Sequence, residues 1–216
     1  MLNSYNDKLI ENAGKGADIA SQRLDDLDLA CLADAQMRSD GNFVLVDAGC
    51  GRCGFINQVA RHVSTGILVA LDAEDFAEFA AEGVTYVQGD MREGIEHLGR
   101  TIDILYSQRT IHYLTYAEAK AFLTAARNAM NSGSALFLSA SGIGTELAEG
   151  YPGRDLPVTD RHHLLDTPMA EKHGIRQPVC LYSQQELVDL VTSVGFEVRA
   201  AAVSEFGNVK IIAVLS

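Results

Sequence analysis

The chain has 216 residues, 47% hydrophobic and 21% charged, enough for one domain with a full core and attachments. No run approaches the roughly 18 apolar residues of a membrane span, and the N-terminus lacks the apolar stretch of a signal peptide, so the expected location is the cytoplasm. A net charge of −12 with only 17 Lys and Arg argues against a nucleic-acid partner.

In chain order, residues 16 to 39 read as an amphipathic helix with Leu24, Leu27, Cys31 and Ala35 on one stripe, a helical cap over residues 1 to 40. From there to residue 140, short apolar runs alternate with helix-like segments, the pattern of a parallel sheet covered on both faces. The runs are "FVLV" (43 to 46), "ILVAL" (67 to 71), "VTYVQ" (84 to 88), "IDILYS" (102 to 107) and "ALFLS" (135 to 139). Their continuous apolar character suits strands buried on both sides. The intervening helices are expected at "FINQVARHV", at "AEDFAEFAAE" (73 to 82) and at "YAEAKAFLTAARNAMNSG", with a short turn or helix near "EGIEHL". The long helix is predicted to start at a capping box, Thr115-x-x-Glu118, and to stop at Gly133. Residues 141 to 182 break the rhythm, with all four prolines and His162, His163 and His173, and read as a lid or substrate insertion. A second capping box, Ser183-x-x-Glu186, opens the helix "QQELVDLVTSV". In the closing stretch, residues 195 to 216, only "SEFGN" separates two apolar runs, so they pair as a hairpin and the last strand is antiparallel.

The chemistry concentrates in "VDAGCGRCGF", which begins at Val46. Read from Gly49 it is G-x-G-x-x-G, the dinucleotide fingerprint; read from Asp47 it is D-x-G-x-G, which suits a different adenosine cofactor. Either way the glycines let the backbone turn tightly beside a helix N-terminus, and Asp72 at the end of the second strand can accept from ribose hydroxyls. An acid at the strand end, Asp47, sits poorly beside phosphates and comfortably near an ammonium or sulfonium cation. A further acid in "QGDM", Asp90, can accept from an adenine amino group, and the terminal hairpin is foreign to a simple dinucleotide domain. The cysteines Cys31, Cys50, Cys53 and Cys180 read as reduced thiols, and Cys50-x-x-Cys53, with no second such pair, is weak evidence for a metal or redox centre.

On "VDAGCGRCG", "ALDAE", "QGDM", "ILYSQRTIHYL" and "GFEV", in this order and spacing, the chain resembles the class I S-adenosylmethionine-dependent methyltransferases over roughly residues 40 to 216. The resemblance implies an α/β, Rossmann-like, doubly wound sheet of seven strands, parallel except for the last, with helices on both faces. It implies S-adenosyl-L-methionine as cofactor, with Asp47, Gly49, Cys50 and Gly51 at the methionine part, Asp72 and Ala73 at the ribose, Asp90 and Met91 at the adenine, and Ser107 closing the pocket. One departure is visible: Cys53 occupies the place of the usual third glycine, which here comes one residue later at Gly54.

Methyl transfer from a sulfonium is an in-line displacement that depends on alignment and exclusion of water, with a base needed only for some acceptors. "SQRTIHYL" has neither the Asn/Asp-Pro-Pro-aromatic segment nor the Pro-Cys found in relatives acting on amines of DNA and protein or on cytosine C5. It resembles the small-molecule enzymes, so a small-molecule acceptor is expected, with His112 as candidate base and Arg109 as anchor for an anionic group. In residues 141 to 182, Tyr151, Arg154, His162 and Tyr182 are candidate acceptor contacts; the adjacent His162 and His163 lack a partner at ligand spacing, and no metal is expected. A nicotinamide-dependent oxidoreductase and an inert cofactor-binding sensor or partner subunit remain the alternatives, and the sequence leaves the oligomeric state open.

Overall fold

In the computed structural model, which describes residues 24–39, 41–93, 95 and 98–216, the apolar runs form one seven-stranded sheet. The strands are β1 (Val44–Ala48), β2 (Ile67–Asp72), β3 (Val84–Gln88), β4 (Ile102–Gln108), β5 (Met130–Ala140), β6 (Phe196–Val203) and β7 (Val209–Leu215). Their order is β3-β2-β1-β4-β5-β7-β6. Pairings from β3 through β5 are parallel, and β7 inserts antiparallel between β5 and β6. The hairpin turn closes with the Ser204 amide donating to the Asn208 carbonyl at 2.8 Å and Gly207 at φ 81°.

The described residues form five α-helices, α1 (Asp26–Arg38), α2 (Gly54–His62), α3 (Tyr116–Asn128), α4 (Thr167–His173) and α5 (Gln184–Ser193), of which α1, α2, α3 and α5 pack on the sheet. Side chains alternate across the strands and so feed two cores. On one face Leu45, Leu68, Ile104 and Phe137 pack with Leu27 and Cys31 of α1 and Ile56 and Val59 of α2. On the other, Val46, Leu105, Leu136 and Ile211 pack with Phe122 and Leu123 of α3 and Leu187 and Leu190 of α5. Both expected capping boxes form, Thr115 with Glu118 and Ser183 with Glu186. A third, Asp25 with Asp28, starts α1 at Asp26; residues 16 to 23 of the expected helix lie outside the described residues.

Two expectations are corrected. Residues 73 to 82 form no α-helix, only a 3-10 turn at Ala77–Phe79. Their backbone groups are claimed elsewhere: Asn57 donates to the Phe79 carbonyl at 2.8 Å and accepts from the Ala81 amide at 2.9 Å, while the Tyr86 hydroxyl takes the Phe76 amide and donates to the Glu74 carbonyl. The helix expected to run to Gly133 ends at Asn128, because β5 begins at Met130, opposite Ile102. Gly133, at φ 86°, lies inside β5, where the register shifts and the Ser134 hydroxyl bonds the Ile102 carbonyl at 2.9 Å.

Residues 141 to 182 build a satellite core of Leu147, Ala148, Tyr151, Leu165, Val179 and Leu181. Arg161 locks it to α5. Its guanidinium donates to Glu186 at 2.6 and 2.9 Å, to the Leu181 carbonyl at 2.9 Å and to the Leu156 carbonyl at 2.7 Å. Arg161 is 7% exposed, so this pair works largely away from solvent screening. Arg161→Met is expected to lower stability by about 3 kcal/mol, the scale for breaking a buried pair, read as a fall in the urea midpoint; an unchanged midpoint contradicts the assignment.

Candidate functional site

The loop between β1 and α2 reaches the carboxyl edge of the sheet, where open α/β folds bind ligands. Gly49, Gly51 and Cys53 all adopt positive φ, at 77°, 51° and 59°. The Gly49 and Cys50 amides both donate to the Leu71 carbonyl, at 2.8 and 3.1 Å, and the Gly51 amide donates to Asp72 Oδ2 at 2.8 Å. Asp72 Oδ1 accepts from the Glu74 amide at 3.1 Å. Each oxygen retains acceptor capacity for a ligand hydroxyl, and burial raises the carboxyl's pKa above its ordinary value. Gly49 admits no side chain: a Cβ there would come within 2.2 Å of Thr110 Cγ2. Thr110 in turn donates to the Gly49 carbonyl at 3.3 Å, an approach that no local sequence pattern announced.

Asp47 is buried at the end of β1. Asp90 is paired with Arg92 at 2.8 Å, which holds its carboxyl below the usual range, and Met91 beside it is buried. Ala73 is exposed next to Asp72. Ser107 is fully buried in β4, and its hydroxyl has no partner among the described residues. The structure thus gathers Gly49, Cys50, Gly51 and Asp72 in one loop contact, with Ala73, Asp90 and Met91 following the ends of the next two strands.

One side of this edge is closed by α1, through residues that the sequence reading did not single out. Gln108, the last residue of β4, donates to Asp25 at 3.0 Å and to Asp28 at 3.2 Å; the Tyr106 hydroxyl also donates to Asp28. Lys210 of β7 bonds Asp25 at 2.8 Å and also bonds Asp26. The signal available in the sequence was the Asp25-x-x-Asp28 spacing of a helix start.

The expected acceptor-side residues differ in burial, and Tyr182 joins His112 through Ser141, whose carbonyl accepts from the Tyr182 amide at 3.2 Å. Arg109 follows β4 at φ 49°, and its amide bonds the Ser139 carbonyl at 3.0 Å. His112 is buried, with Ser141 Oγ 3.5 Å from its Nε2, and its carbonyl accepts from the Cys180 amide at 2.7 Å. Burial, with Arg109 nearby, pulls its pKa down to about 3. Tyr151 is buried with its hydroxyl aimed at the carbonyls of Arg161 and Val179, Tyr182 is fully buried, and Arg154 is exposed. His162 is half-buried and 3.3 Å from the Tyr113 carbonyl. Among the described residues no cluster of three His, Cys, Asp or Glu side chains could hold a metal ion, and no helix is long and apolar enough to cross a membrane.

Gly49→Ala is expected to cost about 2–4 kcal/mol through overpacking and a strained φ, and Thr110→Ala in the same chain should recover part of it in chemical denaturation; full tolerance of the single change is the contrary result. His112 binds its proton in the unfolded chain near pH 6.5 but in the folded chain only near pH 3. Below pH 6.5 the unfolded state therefore takes up the extra proton, and stability falls with decreasing pH by up to about 1.4 kcal/mol per unit. The urea midpoint should drop more between pH 7 and pH 5 for the wild type than for His112→Leu, and equal drops would refute the neutral, buried imidazole.

No protein-family model matches the chain, and neither does any curated protein. Solved structures do resemble it in shape. A methyltransferase from Clostridium acetobutylicum, S-adenosylmethionine-dependent by its description, superposes with a TM-score of 0.65 at 10% identity, over 92% of this chain and 95% of that one. Magnesium protoporphyrin IX methyltransferase from Synechocystis PCC 6803 gives 0.62 at 15% identity, over 100% and 90%. Human N-acetylserotonin methyltransferase gives 0.58 at 13% identity, over 92% of this chain, which spans about half (52%) of its length. Strand order, the antiparallel β7 and these superpositions agree: the chain has the fold of the class I S-adenosylmethionine-dependent methyltransferases.

Proposed function

We propose that this chain binds S-adenosyl-L-methionine at the β1–α2 loop and transfers its methyl group to a small-molecule acceptor. The observation that carries the reading is Asp72, held at the end of β2 by the Gly51 amide at 2.8 Å with acceptor capacity to spare. Two of the similar structures, the human and the Synechocystis proteins, hold S-adenosylmethionine or its demethylated product, and their names specify small acceptors. The cofactor brings an activated methyl group on a sulfonium. This chain's part is to hold and to align.

Gly49, Cys50 and Gly51 offer a turned backbone to the methionine part, with the buried carboxylate of Asp47 behind them. Asp72 and Ala73 face the ribose, Asp90 and Met91 the adenine, and the unpartnered hydroxyl of Ser107 the pocket floor. On the acceptor side, Arg109 anchors an anionic group. His112 stays neutral and close to Ser141, so its contribution is placement together with weak basicity, and alignment carries most of the rate. α1 and residues 141 to 182 flank the edge and favour an acceptor small enough to enter between them, and the charge of −12 disfavours a nucleic acid.

Calorimetry with S-adenosylhomocysteine tests the cofactor assignment. Asp72→Ala should weaken binding about 10- to 100-fold, the worth of ionic hydrogen bonds to ribose hydroxyls. No binding by the wild type, undiminished binding by the variant, or a preference for a nicotinamide dinucleotide would sink it.

A further inference from the structure

Within the same loop the structure places two thiols together. Cys50 and Cys53 have their sulfurs 3.9 Å apart, and both side chains are buried. The turn between them is already closed, since the Cys53 amide donates to the Cys50 carbonyl at 3.0 Å. Cys53 stands at the N-cap of α2 in the left-handed conformation, and its side chain makes no capping bond. Its sulfur instead meets that of Cys50, a contact that lowers the pKa of Cys53 and raises that of Cys50. A thiol of lowered pKa beside a second thiol oxidises to an intramolecular disulfide rather than to higher acids. Cys31, on the same face of the sheet, differs: burial raises its thiol well above the ordinary value.

We propose that Cys50 and Cys53 are a site of reversible oxidation to a disulfide, and that the oxidised loop loses affinity for the adenosyl cofactor. The coupling rests on the cofactor reading given above. Hydrogen peroxide is an oxidant small enough for so closed a site. The Cys53 thiolate attacks one peroxide oxygen; the O–O bond breaks, and the departing hydroxide takes up the proton that Cys53 had shed, leaving a sulfenic acid and water. The Cys50 sulfur then attacks the sulfenic sulfur; the S–S bond forms, the S–O bond breaks, and the second water leaves with the Cys50 proton. Two electrons pass from the sulfurs to the peroxide, and an added dithiol returns them. Shortening the sulfur separation from 3.9 Å to about 2 Å tightens the turn that contains Gly51, whose amide is the donor to Asp72. The residue proposed to hold the ribose is thereby released.

Intact mass, peptide mapping and calorimetry with S-adenosylhomocysteine on the full chain test this, before peroxide, after peroxide and after dithiothreitol. The expected result is loss of two hydrogens in a peptide linking Cys50 to Cys53, at least tenfold weaker binding, and recovery of both on reduction. By linkage, saturating ligand should favour the dithiol and raise the disulfide's midpoint by about 30 mV for each tenfold. Cys53→Gly, which suits φ 59°, should bind the ligand equally before and after peroxide. A sulfinic acid in place of the disulfide, a Cys50–Cys53 disulfide with unchanged affinity, or a Cys53→Gly variant that still responds to peroxide would overturn the proposal. Failure of the reduced protein to bind the ligand would instead sink the cofactor reading, and the coupling with it, while the mapped disulfide is judged by mass alone.

Discussion

The carbonyl oxygen of Leu71 accepts two backbone amides, Gly49 at 2.8 Å and Cys50 at 3.1 Å, and the arrangement of the carboxyl edge depends on that bolt. Both lone pairs of the oxygen are then used, which fixes the height of the β1–α2 loop against the end of β2. With the loop seated there, the third amide, from Gly51, points at Asp72 rather than at solvent. The same seating presses Gly49 against Thr110 of the β4–α3 connection, so three strand ends are brought into one contact. A ligand approaching this edge meets a backbone already bent, and the cost of ordering the loop has been met by folding.

Charge is arranged around that contact with the same economy. Asp25, Asp28 and Asp47 lie at or beneath the edge, with Lys210 as the cation bonded to Asp25. Tyr106 bridges α1 to the sheet, stacking on Phe55 at 3.8 Å while donating to Asp28. Burial, with the nearby carboxylate of Asp28, raises the Tyr106 pKa well above its ordinary value, so it remains a donor. A cluster richer in acids than in bases, in a partly dry setting, carries a negative potential. Such a potential suits the ammonium and sulfonium of the proposed cofactor better than the pyrophosphate of a dinucleotide.

The strands and the chain direction were legible because they depend on local pattern. "ILVAL" and "ALFLS" are apolar without alternation, Thr115 and Ser183 carry their glutamates three residues on, and "SEFGN" is too short for a crossover. What misled was the absence of long-range partners from that pattern. "AEDFAEFAAE" has helical composition, yet Asn57 and Tyr86, from a helix and a strand packed beside it, take its amides and carbonyls. Gly133 looked like a helix stop and proved to be the residue that lets β5 shift register. The glycine loop, Asp72 and Asp90 lie at or just after the ends of β1, β2 and β3, as their spacing in the sequence indicates. The bonds from Gln108 and Lys210 to Asp25 join residues 83 and 185 positions apart, and no periodicity reports such a pair.

Cys53 is where local rule and tertiary setting meet most sharply. A left-handed backbone at a residue bearing a Cβ costs about 1–2 kcal/mol, which glycine would avoid. Against this, the Cys53 side chain is fully buried, in contact with the cluster that holds Phe55 and Ile56. Burying a group of that size returns about 1 kcal/mol, close to a methylene's worth. Strain and burial thus nearly cancel, and neither alone explains why a cysteine stands where glycine would be relaxed. The remaining distinction is chemical: of the residues small enough for the site, only cysteine places a second sulfur 3.9 Å from that of Cys50, in the loop whose amide holds Asp72.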